Sequence, residues 1–127
     1  MRTRILLVDD NEEFLDSTKD VIEDEGYEVV TAISGEEALR RVVSESFDLV
    51  IMDIKMPRMN GVDTFTEMKK VKPDIKVIMC TAYIVEATIR RALREGARAV
   101  LNKPFEMEAL LSAIEGAVNE KPETEQP

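Results

Sequence analysis

Apolar positions along the chain come in blocks. Five short runs stand out: 4–8 (RILLV), 27–32 (YEVVTA), 49–52 (LVIM), 75–80 (IKVIMC) and 98–102 (RAVLN). Near-continuous apolar runs of this length suit strands buried on both faces of a parallel sheet. Between them the period changes to that of a helix. Residues 12–25 carry Phe14, Thr18, Val21 and Ile22 near one face, behind Asn11 as a helix N-cap, and Gly26 ends the segment. Ser34 stands three residues before Glu37, a capping-box pattern, and Ala38, Leu39, Val42 and Val43 supply the apolar face that follows. A third helix is expected over 62–71, ended by Lys72-Pro73-Asp74, and a fourth over 85–95, ended by Gly96. Met107, Leu110, Leu111, Ile114 and Val118 make the stripe of a fifth. The order is strand then helix, five times over, which predicts an α/β fold with a parallel sheet. Right-handed crossovers then bring all five strand carboxyl ends to one edge.

The residues at those ends matter most. The stretch Phe47 to Gly61 ends its apolar run in Asp53, and Pro57, Asn60 and Gly61 break the chain after it. The first run ends in Asp9 and Asp10, the fourth is followed by Thr81-Ala82, and the fifth by Lys103-Pro104. Each residue alone has an ordinary reading as a helix cap, a turn residue or a surface charge. Together they place three carboxylates, a hydroxyl and an ammonium on one edge. Their net charge of −2 suits a divalent cation. With no histidine and only one cysteine in the chain, the ligands are all oxygen, which favours magnesium. An aspartate beside magnesium and a lysine can act as a nucleophile toward phosphorus, with Thr81 hydrogen-bonding an equatorial oxygen.

Composition narrows the field. At 127 residues the chain is expected to hold one domain, 1–119, with 120–127 as a disordered tail or the start of a linker. Seventeen basic and 26 acidic residues give a net charge of −9, which argues against direct binding to nucleic acid or an anionic membrane. No signal peptide or membrane span is legible, so the protein is expected to be cytoplasmic. The first strand is followed by acids where a nucleotide-binding loop needs glycines, which argues against dinucleotide and ATP binding. Cys80 reads as a small core residue, and Met52, Met56, Met59 and Met79 read as core and loop filler.

The segments VDDNEEF, LVIMDIKMPRMNG, MCTAY and LNKPF resemble the receiver domains of two-component response regulators, the CheY-like group, over roughly residues 3–119. The resemblance implies a doubly wound, flavodoxin-like sheet of order 2-1-3-4-5 with five helices. It implies that Asp53 accepts a phosphoryl group from the phosphohistidine of a sensor histidine kinase or histidine phosphotransfer protein. Asp10 and Asp53 would coordinate magnesium, with Asp9 assisting through water and the backbone carbonyl of Lys55 as a further ligand. Thr81, the Ala82 amide and Lys103 would hold the phosphoryl oxygens. The Lys103-Pro104 bond resembles one that is cis in the family. Such a protein catalyses only its own phosphorylation and slow dephosphorylation. One departure is clear: the family commonly has an aromatic or histidine three residues before the lysine, and Val100 stands there.

Other features modulate this reading. The resemblance implies that Lys55 and Tyr83, two residues after Asp53 and Thr81, flank the approach of water to the phosphoryl group, which points to a long-lived phosphorylated state. Asn11 and one of Phe14 and Leu15 are expected to meet a histidine donor at the mouth of the site. The face of helix four, strand five and helix five, with Arg90, Arg91, Arg94 and Arg98 near it, is the alternative output or dimer surface. Two other functions compete. A magnesium-dependent phosphatase of the haloacid dehalogenase type would use the same nucleophile, but it needs an acid where Lys55 stands. A degenerate receiver would only bind partners.

Overall fold

The five apolar runs form five parallel strands: β1 (Arg4–Val8), β2 (Glu28–Ala32), β3 (Leu49–Met52), β4 (Val77–Thr81) and β5 (Ala99–Asn102). Five helices alternate with them: α1 (Glu12–Asp24), α2 (Gly35–Ser44), α3 (Gly61–Val71), α4 (Glu86–Arg94) and α5 (Met107–Val118). The sheet order is β2-β1-β3-β4-β5. These assignments come from a computed structural model, which describes residues 2–82 and 84–119. Tyr83 and the expected tail at 120–127 lie outside the described residues.

The apolar runs look continuous because both sheet faces are covered. Leu6, Val8, Val50, Met52, Val77 and Met79 pack with Phe65 and Met68 of α3, and with residues of α2 and α4, on one face. Ile5, Leu7, Leu49, Ile51, Ile78 and Cys80 pack against Leu15 and Ile22 of α1 and Leu110 and Ile114 of α5 on the other. Period-two alternation is present, but it sorts side chains between two cores rather than between core and water. Cys80 is part of the second core, and burial pushes its thiol up to about 12, as suits an inert core residue. Met52, Met56 and Met79 are likewise buried.

Helix ends follow local chemistry. The side chain of Asn11 accepts from the Phe14 amide, and that of Ser34 accepts from the Glu37 amide. The return bond of the expected capping box is displaced by one residue, because Glu37 Oε1 accepts from the Ile33 amide at 3.1 Å. Gly26 and Gly96 end α1 and α4 with φ of 96° and 105°, a conformation that favours glycine. The fourth strand begins at Val77 rather than at residue 75, since the Ile75 amide still closes a turn onto the Lys72 carbonyl at 3.0 Å. The third helix begins at Gly61, one residue earlier than expected, with Asn60 accepting from the Asp63 amide.

Two of the arginines on the α4 side are paired. Arg91 pairs with Asp63 of α3 at 2.7 Å, and Arg90 pairs with Glu86 one turn earlier in α4. Arg94 and Arg98 remain exposed. Two of the four arginines thus have an acidic partner on α3 or α4. No helix among the described residues is long and apolar enough to cross a membrane.

Candidate functional site

The strand order reverses direction between β1 and β3, and open α/β sheets bind ligands at such a crossing. Val8 pairs with Met52 at the carboxyl ends of those strands, and the Asp53 amide donates to the Val8 carbonyl at 3.1 Å. The sheet register thus sets the acids that follow β1 beside the acid that follows β3. One carboxylate oxygen from each of Asp9, Asp10 and Asp53 lies within 4.8 Å of the others. Asp9 is buried, Asp53 half-buried and Asp10 exposed, so the cluster opens toward solvent on the Asp10 side.

Backbone amides orient the two inner acids. The Asn11 amide donates to Asp9 Oδ1 at 2.9 Å, and the Lys55 amide donates to Asp53 Oδ1 at 3.2 Å. Each acid therefore keeps its Oδ2 toward the cluster. The Lys103 Nζ meets both, at 2.5 Å from Asp9 Oδ2 and 3.4 Å from Asp53 Oδ2. Lys103 is brought there by β5 and by its own amide, which donates to the Thr81 carbonyl at 2.9 Å. The Lys103-Pro104 peptide is cis.

The electrostatics are those of a crowded acidic pocket. Burial pushes Asp9 above the usual carboxylate range, and the nearby Asp53 charge adds to this; hydrogen bonds from Lys103 and Asn11 offset it only in part. Burial works against the Lys103 charge, but the hydrogen bond to Asp9 and the fields of Asp53 and Asp9 outweigh it, so its pKa is raised. Three acids face one ammonium. This donor set fits magnesium: all its ligands are hard oxygens, one is open to water, and the lysine leaves negative charge unneutralised.

The remaining expected residues take distinct places. Thr81 is the last residue of β4, buried, and pairs with Asn102 beside Lys103. Ala82 follows it at the exposed rim. Lys55 is exposed two residues after Asp53. Val100 is half-buried on the α2–α3–α4 face and packs against that core, so no aromatic stands at that point of β5. Asn11 caps α1 at the exposed mouth. Of Phe14 and Leu15, one of which was expected to meet a partner, Leu15 is buried in the core, at 3% exposure, and does not take that role. Phe14 is the outer residue, but its ring is engaged: it lies 4.0 Å from the Lys103 Nζ and meets Phe105 edge-on at 6.3 Å.

Two contributors were not singled out as functional from the sequence. Asn60 and Gly61 appear there only as chain breakers. In the structure Gly61 closes the loop after Asp53, donating from its amide to the Ile54 carbonyl at 2.7 Å. A Cβ at Gly61 would sit 2.2 Å from the Asp53 carbonyl oxygen. The only advance signal was the juxtaposition of Asn and Gly at a fixed distance after the acid.

The comparisons with known proteins agree with this geometry. The model of the response regulator receiver domain matches residues 5–115. The chemotaxis protein CheY of Thermotoga maritima is 37% identical, over 90% of this chain and 96% of that one. A CheY-like receiver domain protein from Methanospirillum hungatei JF-1 has a TM-score of 0.90 at 38% identity, covering 94% of this chain and 95% of that one. The response regulator TrrA of Thermotoga maritima, solved with Mg(2+)-BeF, has a TM-score of 0.82 at 36% identity, covering 91% of this chain and 98% of that one. Taken with the β2-β1-β3-β4-β5 sheet and the acidic crevice at its reversal, these matches show that the chain belongs to the response regulator receiver domains, the CheY-like signalling switches of two-component systems.

Proposed function

We propose that Asp53 accepts a phosphoryl group from a phosphohistidine on a partner, and that the phosphorylated chain changes its partner binding. The observation that carries this is the meeting of Lys103 Nζ with both Asp9 and Asp53 beside the exposed Asp10. In the transfer, an Asp53 carboxylate oxygen attacks phosphorus. The P–N bond breaks, its electron pair returns to the imidazole ring, and an acyl phosphate is formed. The Lys55 amide holds Asp53 Oδ1 in place, which leaves Oδ2 directed at the incoming group. Lys103 then pairs with the phosphoryl oxygens that arrive beside it, and Thr81 and the Ala82 amide bind the others. Asp10 and Asp53 would hold magnesium, with Asp9 through water and the Lys55 carbonyl; when bound, the ion supplies neutralisation of the phosphoryl charge. We place the protein in the cytoplasm, facing a sensor histidine kinase or a histidine phosphotransfer protein. Asn11 and the exposed edge of Phe14 lie at the mouth where that donor meets it. The α4–β5–α5 side is the output or dimer surface.

Incubation with magnesium and a small phosphodonor tests the reading. A stable gain of one phosphoryl group per chain supports it. Continuous turnover of donor would make the protein a phosphatase, and no reaction would make it a binding module.

The phosphorylated state should outlast seconds. Hydrolysis needs water in line with the aspartyl oxygen, and the receiver resemblance implies that Lys55, exposed two residues after Asp53, flanks that approach. The same resemblance implies Tyr83, two residues after Thr81, as the other flanking residue. Decay followed in excess magnesium without a partner should be slow, and Tyr83→Ala should accelerate it. Decay of the wild type within seconds, or an unaltered rate in the variant, would remove the shielding role.

A further inference from the structure

Lysine is a flexible point charge, and nothing in its stem fixes where the ammonium rests. Lys103 nonetheless lies in a defined seat. Its Nζ contacts Asp9 Oδ2 at 2.5 Å and has Asp53 Oδ2 at 3.4 Å. A third side is closed by the face of Phe14, with the ring centre 4.0 Å away. The negative face of an aromatic ring attracts a cation, most strongly where water is excluded. Lys103 has only 18% of its side chain exposed. Elsewhere Arg4 over Phe47 and Lys69 over Phe65 stand at the longer distance of 4.9 Å. Phe14 is itself braced, since Phe105 meets it nearly perpendicularly, at 87°. Phe105 lies two residues beyond Lys103, so the segment that carries the lysine also holds the ring that confines it.

We propose that Phe14 is a positioning residue: its ring, braced by Phe105, seats the Lys103 ammonium against Asp9 and within reach of Asp53. This deepens the phosphoryl-acceptor reading and rests on it for the kinetic consequence alone. The ring replaces water on one side of the ammonium, so the lysine enters the reaction already aimed and partly desolvated. A protein-docking role for Phe14 makes a different prediction, because a small phosphodonor has no docking surface.

The test compares wild type, Phe14→Leu and Phe14→Tyr in two measurements. The first is the proton shift of the Lys103 ε-methylene, which a ring this close shields. The second is the rate of phosphorylation by a small phosphodonor with magnesium. Phe14→Leu should lose the shielding and react on the order of tenfold more slowly, the scale of a partly desolvated cation–π contact. Phe14→Tyr, which keeps the ring face, should retain both. Unchanged Lys103 shifts in Phe14→Leu would overturn the seat. So would equal slowing in both variants, or an unchanged rate of Phe14→Leu with the small phosphodonor. If the wild type takes no phosphoryl group, the acceptor reading fails, and the Lys103 shifts still decide whether Phe14 holds the lysine.

Discussion

Gly61→Ala should lower the stability of the protein by about 3 kcal/mol, at the upper end of the usual cost of overpacking. The site would be disturbed at the same time. An added Cβ would meet the Asp53 carbonyl oxygen at 2.2 Å, and the Asp53 carbonyl carbon and Ile54 Cα at 3.0 Å each. All three are backbone atoms, so no side chain can swing aside to make room. Either α3 must move off the sheet or the strand end that carries Asp53 must shift. The first exposes Val62 and Phe65, both buried in the core, and the second breaks the bond from the Gly61 amide to Ile54. Gly116 is the internal control. It lies in α5 with nothing within 4 Å of its Cβ direction, so Gly116→Ala should instead stabilise by roughly 0.5–1 kcal/mol. Thermal melts of the two variants should move in opposite directions, with the Gly61 variant down on the order of 10 °C. A Gly61→Ala protein that melts with the wild type would mean the loop is not held as described.

Magnesium should raise the melting temperature of the wild type and leave Asp10→Ala unmoved. An ion that binds only the folded chain stabilises by mass action, by about 2.7 kcal/mol at a hundredfold excess over its dissociation constant. Asp10 is the informative acid. Asp9 is buried and tied to Lys103, so removing it would strip the lysine of its nearest partner. Asp10 is exposed and shares with Asp9 and Asp53 a cluster of mutual repulsion. Without metal, Asp10→Ala should therefore melt at or slightly above the wild type. A wild type that ignores millimolar magnesium, or a variant that responds equally, would contradict the metal assignment.

Much of this could be read from the chain because local chemistry and global fold agree. LVIM and the run ending in Thr81 are apolar enough for central strands of a covered parallel sheet. Asn11 and Ser34 cap the helices they precede, and Gly26 and Gly96 end theirs. Once the strand order is known, Asp9, Asp10, Asp53, Thr81 and Lys103 must share an edge. Contacts between distant residues were not legible. The Lys103 ammonium meets Asp9 across 94 positions of sequence, and nothing local indicates that it prefers Asp9 to Asp53. One of Phe14 and Leu15 was expected to meet a partner; the helical wheel shows that both cannot face the core, but not that a lysine from the far end of the chain lies over the Phe14 ring. Arg58 holds φ of 67° in the loop after Asp53, and arginine carries no composition signal for that conformation. Nor does the chain show locally that Arg91 finds Asp63 on a neighbouring helix.

The central claim is that one carboxylate, Asp53, takes the phosphoryl group. It joins the end of a central strand to the acids on one side and to Lys103 on the other. The most direct measurement is treatment with a small phosphodonor and magnesium, followed by intact mass and peptide mapping of wild type and Asp53→Asn. The wild type should gain a single phosphoryl group, mapped to the peptide containing Asp53, and Asp53→Asn should gain none. Full labelling of Asp53→Asn, or a wild-type label on any other residue, would contradict the account.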